Sequence, residues 1–173
     1  GGWLGQPGVA GNLPSGETYI VPYEGEQPGE PSRSEGTLPL EIDGELLVYR
    51  IERNRVVDVL GDGPAASAER RDLAAEPAYG NVAELGLGIL RDYGIDPIGE
   101  LLLDEKLGPH IAFGRSDHFG GQVGPKDWID PARVVHIDRV FIPEVMPGVV
   151  VRRVDLVLPG GTSEPLIRQG ACV

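Results

Sequence analysis

The sequence predicts an α+β fold dominated by strands, with a mixed or antiparallel sheet, few helices and long loops rich in glycine and proline. Three observations favour this class. The 173 residues include 26 glycines and 16 prolines, which punctuate turns and loops. The apolar residues fall in short runs between these turn signals, as is typical of strands. The best candidate for a helix is a single stretch, residues 65–75.

The first third of the chain is predicted to be a loop followed by a β-meander. Residues 1–35 hold many of the glycines and prolines and one short apolar patch, so we expect mostly loop. Residues 37–59 carry alternating apolar side chains, with turn signals at Asp43-Gly44 and Asn54-Arg55. This pattern predicts a short meander with two tight turns.

The predicted helix over residues 65–75 has recognisable boundaries. Ser67 is the expected N-cap, with Glu69 in the first turn, and Pro77 ends the helix. Residues 82–90 are apolar but contain Gly86 and Gly88, which leaves a loop, a strand or a short helix open. Strands are predicted over residues 101–103, 110–113, 133–141, 149–158 and 166–167.

Charge and cysteine content exclude several classes of function. The chain has 15 Lys and Arg against 27 Asp and Glu, a net charge of −12, which disfavours nucleic acid and anionic membrane surfaces as partners. The only cysteine, Cys172, permits neither an internal disulfide nor a thiolate-rich zinc site. No apolar run reaches the ~18–20 residues that span a bilayer. We therefore expect a soluble cytoplasmic protein, and the acidic surplus suits one that holds cations.

Two histidines lie in apolar, strand-like segments, where an imidazole is unusual. His136 and Asp138 are two residues apart, so on a strand both side chains point to the same face. Such a pair can hold a divalent ion through nitrogen and oxygen, although an isolated H-x-D is more often a surface pair. His110 follows Gly108-Pro109 and opens another apolar run, which by itself is more typical of a core or capping histidine.

Two glutamates also stand in unusual surroundings. Glu17 follows a loop that Pro14 and Gly16 constrain, and Glu84 is the only charged residue in an apolar, glycine-rich stretch. A carboxylate in such a stretch is costly unless it is paired or bound to a metal. Together with the two histidines and Asp138, these glutamates would make a ligand set for two divalent ions that share a carboxylate.

The order of four short motifs resembles the metal-binding C-terminal part of the aminopeptidase T family of metallo-aminopeptidases. The motifs are GNLPSGETYIVP, ELGLG, DEKLGPHIAFG and HID, and the resemblance spans residues 11–141. It implies that a metal-activated water cleaves peptides next to a free N-terminus, that the metals are two zinc or cobalt ions, and that the protein is a homodimer. The implied metal ligands are Glu17, Glu84, His110, His136 and Asp138, with Glu17 also a candidate catalytic residue.

Three departures from the family pattern affect this interpretation. Family members often have two glutamates at the end of the first motif, whereas Gly16 precedes Glu17 here. They carry a tyrosine a few residues after the first histidine, where this chain has Asp117 and His118 as candidates for a substrate-binding or supporting role. Full-length members also have an N-terminal α/β domain, so we expect residues 1–173 to form a single metal-binding domain from the C-terminal part of a two-domain protein.

Two alternatives stay open. The 2,5-dihydroxypyridine dioxygenases share the scaffold, and His110, His136 and Asp138 could instead hold one Fe(II) in the 2-His-1-carboxylate arrangement. Glu17 and Glu84 favour the dinuclear hydrolase, because a mononuclear oxygenase needs no additional carboxylates. In the third hypothesis the chain is a catalytically inactive fragment or a dimerisation module.

Overall fold

A computed structural model describes residues 16–173, which contain ten strands and two α-helices, with short 3₁₀ turns between them. The strands are β1 (Glu17–Ile20), β2 (Gly36–Ile42), β3 (Glu45–Glu52), β4 (Arg55–Leu60), β5 (Val82–Gly88), β6 (Pro109–Gly114), β7 (His136–Val140), β8 (Arg153–Val157), β9 (Ser163–Arg168) and β10 (Ala171–Cys172), and the helices are α1 (Pro64–Ala75) and α2 (Leu101–Asp104). The strand-dominated α+β prediction is confirmed. No helix in this part of the chain is long and apolar enough to cross a membrane.

The strands form three sheets, with strand orders β1-β5-β6-β7, β2-β3-β4 and β10-β9-β8. Backbone contacts divide the described residues into two compact units. The larger unit comprises Tyr19–Gly86 and His110–Arg139, and the smaller unit comprises 16–18, Leu87–Pro109 and Val140–Val173.

The larger unit begins with the predicted meander. Strands β2, β3 and β4 pair antiparallel, with the first turn at Asp43-Gly44 as predicted. The second turn falls at Arg53-Asn54, one residue before the predicted Asn54-Arg55, and both of its residues adopt positive φ. Tyr49 of β3 and Phe113 of β6 are both buried and pack edge to face, with ring centroids 5.2 Å apart. A second apolar cluster contains Tyr79 and Trp128, against which Leu73 of α1 packs.

The smaller unit has its own apolar cluster and an antiparallel sheet. Leu107, Val140 and Ile142 are buried, and Leu90 packs against them. In the sheet, β8 and β10 both pair antiparallel with β9.

Several segments differ from the predicted secondary structure, among them the predicted strand 149–158, of which only Arg153–Val157 is a strand. Residues 82–88, left open by the sequence, form strand β5, whereas the predicted strand at residues 101–103 is wrong and the segment belongs to helix α2. The Asp104 carboxylate accepts hydrogen bonds from the backbone N–H groups of Ile98 and Gly99, at 2.9 Å each, and so fixes a turn just before the helix. The loop predicted over residues 1–35 contains β1, and residues 1–15 lie outside the described part of the chain.

The predicted cap of helix α1 is also wrong. The helix begins at Pro64, so Ser67 is inside it and Glu69 lies beyond the first turn. The N-cap residue is Gly63, which has no side chain to accept a hydrogen bond. Instead, the Glu45 carboxylate accepts from the backbone N–H groups of Ala65 and Ala66, at 2.8 and 3.2 Å. A carboxylate from β3 therefore satisfies the free donors of the first turn.

We predict that Glu45→Ala lowers the free energy of unfolding by about 1 kcal/mol, the usual effect of removing an N-terminal cap. The matched control is Ser67→Ala, whose half-buried side chain accepts a hydrogen bond from Arg70 at 3.3 Å. Urea unfolding of both variants would measure the difference. A larger loss for Ser67→Ala than for Glu45→Ala would contradict the cap described here.

Candidate metal centre

Four of the predicted ligands lie on three neighbouring strands of the larger unit: Glu84 on β5, His110 on β6, and His136 and Asp138 on β7. These strands run antiparallel, because hydrogen bonds join residues 81 to 114 and 88 to 108 between β5 and β6, and residues 135 to 115 and 141 to 109 between β6 and β7, at 2.8–2.9 Å. Side chains alternate across a sheet, so Glu84, His110, His136 and Asp138 project from one face.

Small residues on the same face leave room for these side chains. A Cβ at Gly86 would overlap the imidazole Nε2 of His110, and Ala112 is completely buried beside it on β6. Gly114 has φ +102°, and a Cβ there would overlap the backbone of Val135. Gly86, one of the two glycines in the apolar run 82–90, therefore leaves room for the imidazole of His110.

The four polar side chains converge. The Glu84 carboxylate lies between the imidazoles: its Oε1 is 3.4 Å from Nε2 of His110, and its Oε2 is 3.2 Å from Nε2 of His136. Asp138 Oδ1 is 3.6 Å from the same Nε2 of His136. One ligand atom from each of Glu84, His136 and Asp138 falls within 4.8 Å of the others. Glu84, His110 and Asp138 are buried, at 4%, 1% and 8% exposure.

A hydrogen bond to the ring nitrogen that faces away from the carboxylates fixes the orientation of His136. Its Nδ1 lies 2.7 Å from the backbone carbonyl oxygen of Arg115. A protonated Nδ1 donates to this carbonyl, so Nε2 is the nitrogen directed at the two carboxylates. Histidines that ligate metals are commonly held in this way, because the hydrogen bond selects the tautomer and the ring orientation.

The cluster has strongly perturbed acid–base properties. Burial opposes the charged form of Glu84, but hydrogen bonds from His110 and His136 outweigh it and lower the pKa of the carboxyl to about 2. Burial likewise disfavours the His136 cation, yet hydrogen bonds with Asp138 and Glu84 raise its pKa to about 10. The buried carboxylates thus favour a positive charge among them. Imidazole and carboxylate donors are also ligands for zinc, cobalt or ferrous ions, so the residues fit a divalent metal.

These pKa values predict how pH affects the stability of the metal-free protein. His136 stabilises the fold fully below its ordinary pKa of 6.5, and this stabilisation is lost as pH rises through about 10. Glu84 stabilises the fold fully above its ordinary pKa of 4.5, and its stabilisation is lost as pH falls through about 2. We expect the EDTA-treated protein to lose stability in urea between pH 7 and 10. The His136→Gln variant should have a flatter profile there, and equal slopes would contradict the assignment.

Glu17 lies in the smaller unit, where it pairs with a lysine. The Lys106 Nζ is 3.1 Å from Glu17 Oε1 and 2.6 Å from Glu105 Oε1, and all three side chains are largely buried. The loop residues 12–15 that precede Glu17 in the motif lie outside the described part of the chain. The role of Glu17 as ligand or catalytic residue stays a prediction. Glu105, which the sequence analysis did not single out, precedes Lys106 in the DEKLGPHIAFG motif and shares this lysine with Glu17.

Asp117 and His118 lie near the end of β6, in the larger unit. Asp117 is exposed and forms an ion pair with Arg115. The His118 ring stands edge-on to His136, with centroids 4.9 Å apart. Burial and the nearby His136 and Arg115 charges lower the pKa of His118. His118 therefore borders the cluster, whereas Asp117 is paired with Arg115.

Comparison with known proteins shows a likeness to a solved structure. No protein-family model and no curated protein matches the sequence. Among solved structures, the chain is similar to wild-type AmpT from Thermus thermophilus, with a TM-score of 0.59 and 26% sequence identity. The match covers 94% of this chain but 40% of the AmpT chain, so the chain spans well under half of AmpT. AmpT is aminopeptidase T, and the likeness supports the resemblance to that family as a partial structural match.

Proposed function

We propose that the chain is the metal-binding part of a metal-dependent aminopeptidase that removes N-terminal residues from peptides. The observation that carries the proposal is the convergence of Glu84, His136 and Asp138 within 4.8 Å, with His110 Nε2 at 3.4 Å from Glu84. The likeness to AmpT supports an aminopeptidase rather than another metal-dependent hydrolase.

Each side chain has a role in this proposal. His110 and His136 would provide Nε2 ligands, and Asp138 and Glu84, which lies between the two histidines, would provide carboxylate ligands. A bound divalent ion lowers the pKa of its water towards ~7 and polarises a peptide carbonyl. Two zinc or cobalt ions are the proposed cofactors, with Glu17 as the fifth ligand or as the base.

The wider setting is also part of the proposal. Peptides with a free N-terminus are the substrates, and neither nucleic acid nor a membrane is a partner. The protein acts in the cytoplasm as a homodimer. Because the match spans 40% of AmpT, these statements concern the activity of a whole aminopeptidase rather than an activity assigned to this chain alone.

One observation favours the hydrolase over the mononuclear iron dioxygenase. His110, His136 and Asp138 would satisfy a 2-His-1-carboxylate site, which leaves the remaining positions open for oxygen and substrate. The Glu84 carboxylate, however, lies within 3.4 Å of both imidazole Nε2 atoms and would occupy space that such a site keeps open. A site that is rich in carboxylates suits two hydrolytic metals better.

Metal stoichiometry combined with peptide hydrolysis tests the proposal. The EDTA-treated protein is loaded with zinc or cobalt, dialysed, analysed for metal and assayed with aminoacyl-anilides. We expect two ions per chain and hydrolysis, both of which Glu84→Gln should reduce. The matched control, Glu164→Gln, removes an exposed carboxylate of β9 and should behave like the wild type.

Three outcomes would overturn the proposal. They are failure to retain any divalent metal, loss of metal in the Glu164→Gln control equal to that in Glu84→Gln, and iron-dependent oxygen uptake with 2,5-dihydroxypyridine after anaerobic loading. The last outcome would establish the dioxygenase in its place.

A further inference from the structure

Three aromatic side chains of the larger unit form a contiguous set beside the metal cluster. The rings of Tyr19 and Phe119 have centroids 4.9 Å apart, and those of Phe119 and His118 are 4.0 Å apart. Both His118 and Phe119 stand edge-on to His136, at 4.9 and 5.3 Å. The set (Tyr19, His118 and Phe119) therefore borders the imidazole that faces both carboxylates.

The exposure of this set distinguishes it from core packing. The pair Tyr49–Phe113 in the same unit is 1% and 2% exposed, as expected for a structural aromatic contact. By contrast, Tyr19 and Phe119 are only half-buried, and the His118 side chain is 32% exposed. An aromatic surface thus stays open to solvent next to a buried polar cluster, where an apolar group of a ligand could cover it.

The charges next to the set are mutually compensated. Arg115 and Asp117 form an ion pair with each other. Neither offers an unpaired charge to attract an acidic or a basic side chain, so the contribution of the set to binding is the burial of apolar surface.

We propose that Tyr19, His118 and Phe119 form one wall of the subsite for the N-terminal side chain of the substrate, and that they select large apolar and aromatic residues. This inference rests on the proposed aminopeptidase function. A peptide with its scissile carbonyl at the metal cluster places its first side chain one carbon away from that carbonyl, within reach of rings that touch His136. Aromatic rings provide a large apolar contact area and favourable edge-to-face geometry.

The first test is equilibrium binding, which does not depend on turnover. Calorimetry would measure the affinity of the zinc-loaded protein for L-leucine, L-phenylalanine and L-alanine. We expect Phe119→Ala to weaken the binding of leucine and phenylalanine by about tenfold or more, because an apolar contact is lost. The binding of alanine, whose side chain is too short for this contact, should weaken by less than about twofold. Phe119→Leu keeps apolar bulk and should retain most of the leucine affinity.

The second test measures kcat/KM for leucyl-, phenylalanyl- and alanyl-anilides. We expect Phe119→Ala to lower kcat/KM for the first two substrates far more than for the third. Tyr19→Ala is a second variant should Phe119→Ala fail to fold, and Tyr93→Ala, which removes a ring that is 76% exposed, is the control. An equal loss for all three amino acids, or no loss for any, overturns the inference. If zinc binds and anilides are cleaved without this selectivity, the aminopeptidase proposal survives alone. If no anilide is cleaved, the measured affinities for the three amino acids still test whether Tyr19, His118 and Phe119 bind the first side chain.

Discussion

His136→Ala is expected to abolish stoichiometric zinc binding. In the cluster, Nε2 of His136 faces both carboxylates, 3.2 Å from Glu84 Oε2 and 3.6 Å from Asp138 Oδ1. Substitutions that only disturb the support of a metal ligand cost 10–100-fold in affinity, so loss of the ligand itself should cost more than about 100-fold. Elemental analysis after dialysis and the visible spectrum of the cobalt-loaded protein would measure the effect.

His118→Ala is the matched control for this prediction. It removes an imidazole from the same neighbourhood, yet His118 borders the cluster through its ring edge and lies outside the group of converging ligand atoms. We expect His118→Ala to keep its zinc and to unfold at the wild-type urea concentration at pH 8, whereas His136→Ala should unfold at a lower one, because it also removes the charge that stabilises the two carboxylates. Zinc retained by His136→Ala at the wild-type stoichiometry would refute the assigned site.

The sequence predicted parts of the cluster that depend on local geometry. His136 and Asp138 are two residues apart on a strand, so their side chains share a face whatever the strand pairs with. The contact between Glu84 and His110, in contrast, joins residues 26 positions apart. It depends on the pairing of β5 with β6, which no local pattern specifies. The unusual surroundings of these residues suggested a shared ligand set, and the order of the motifs in the family resemblance supported it.

The same distinction explains the errors in the fold. The meander at residues 36–60 was predictable, because alternation and turn residues act over a few positions. The cap of helix α1 was not predictable in this way, because the Glu45 carboxylate that accepts from the Ala65 N–H lies 20 residues earlier, on strand β3. The aromatic set was missed for a similar reason, because Tyr19 and Phe119 come together only through the tertiary fold.

Glu69 was predicted in the first turn of the helix, but it lies beyond that turn and at the centre of a buried polar network. It is 7% exposed, and its carboxylate accepts hydrogen bonds from the Tyr49 hydroxyl and from the Tyr79 hydroxyl at 2.8 Å. Arg139 of β7 donates to the other oxygen at 3.3 Å. Burial raises the pKa of both tyrosines, to about 12 for Tyr79, so both hydroxyls stay protonated donors.

We therefore predict that Glu69→Ala is the most destabilising of these substitutions. It would leave the largely buried Arg139 guanidinium without its counter-charge, which typically costs about 3–5 kcal/mol of unfolding free energy. Tyr79→Phe removes the hydroxyl that donates to Glu69 and accepts from Arg139 at 3.2 Å, but keeps the ion pair, and should cost about 1–2 kcal/mol. Arg71→Ala, at an exposed position of the same helix, should change stability by less than about 0.5 kcal/mol.

Urea unfolding at neutral pH would rank the three variants. If Glu69→Ala cost no more than Arg71→Ala, the ion pair could not be holding β7 against helix α1. Because side chains alternate along β7, Arg139 projects from the face opposite His136 and Asp138. A stable anchor on that face restrains the strand that carries both proposed ligands. Glu69→Ala should therefore also weaken zinc binding, although residue 69 donates no atom to the cluster.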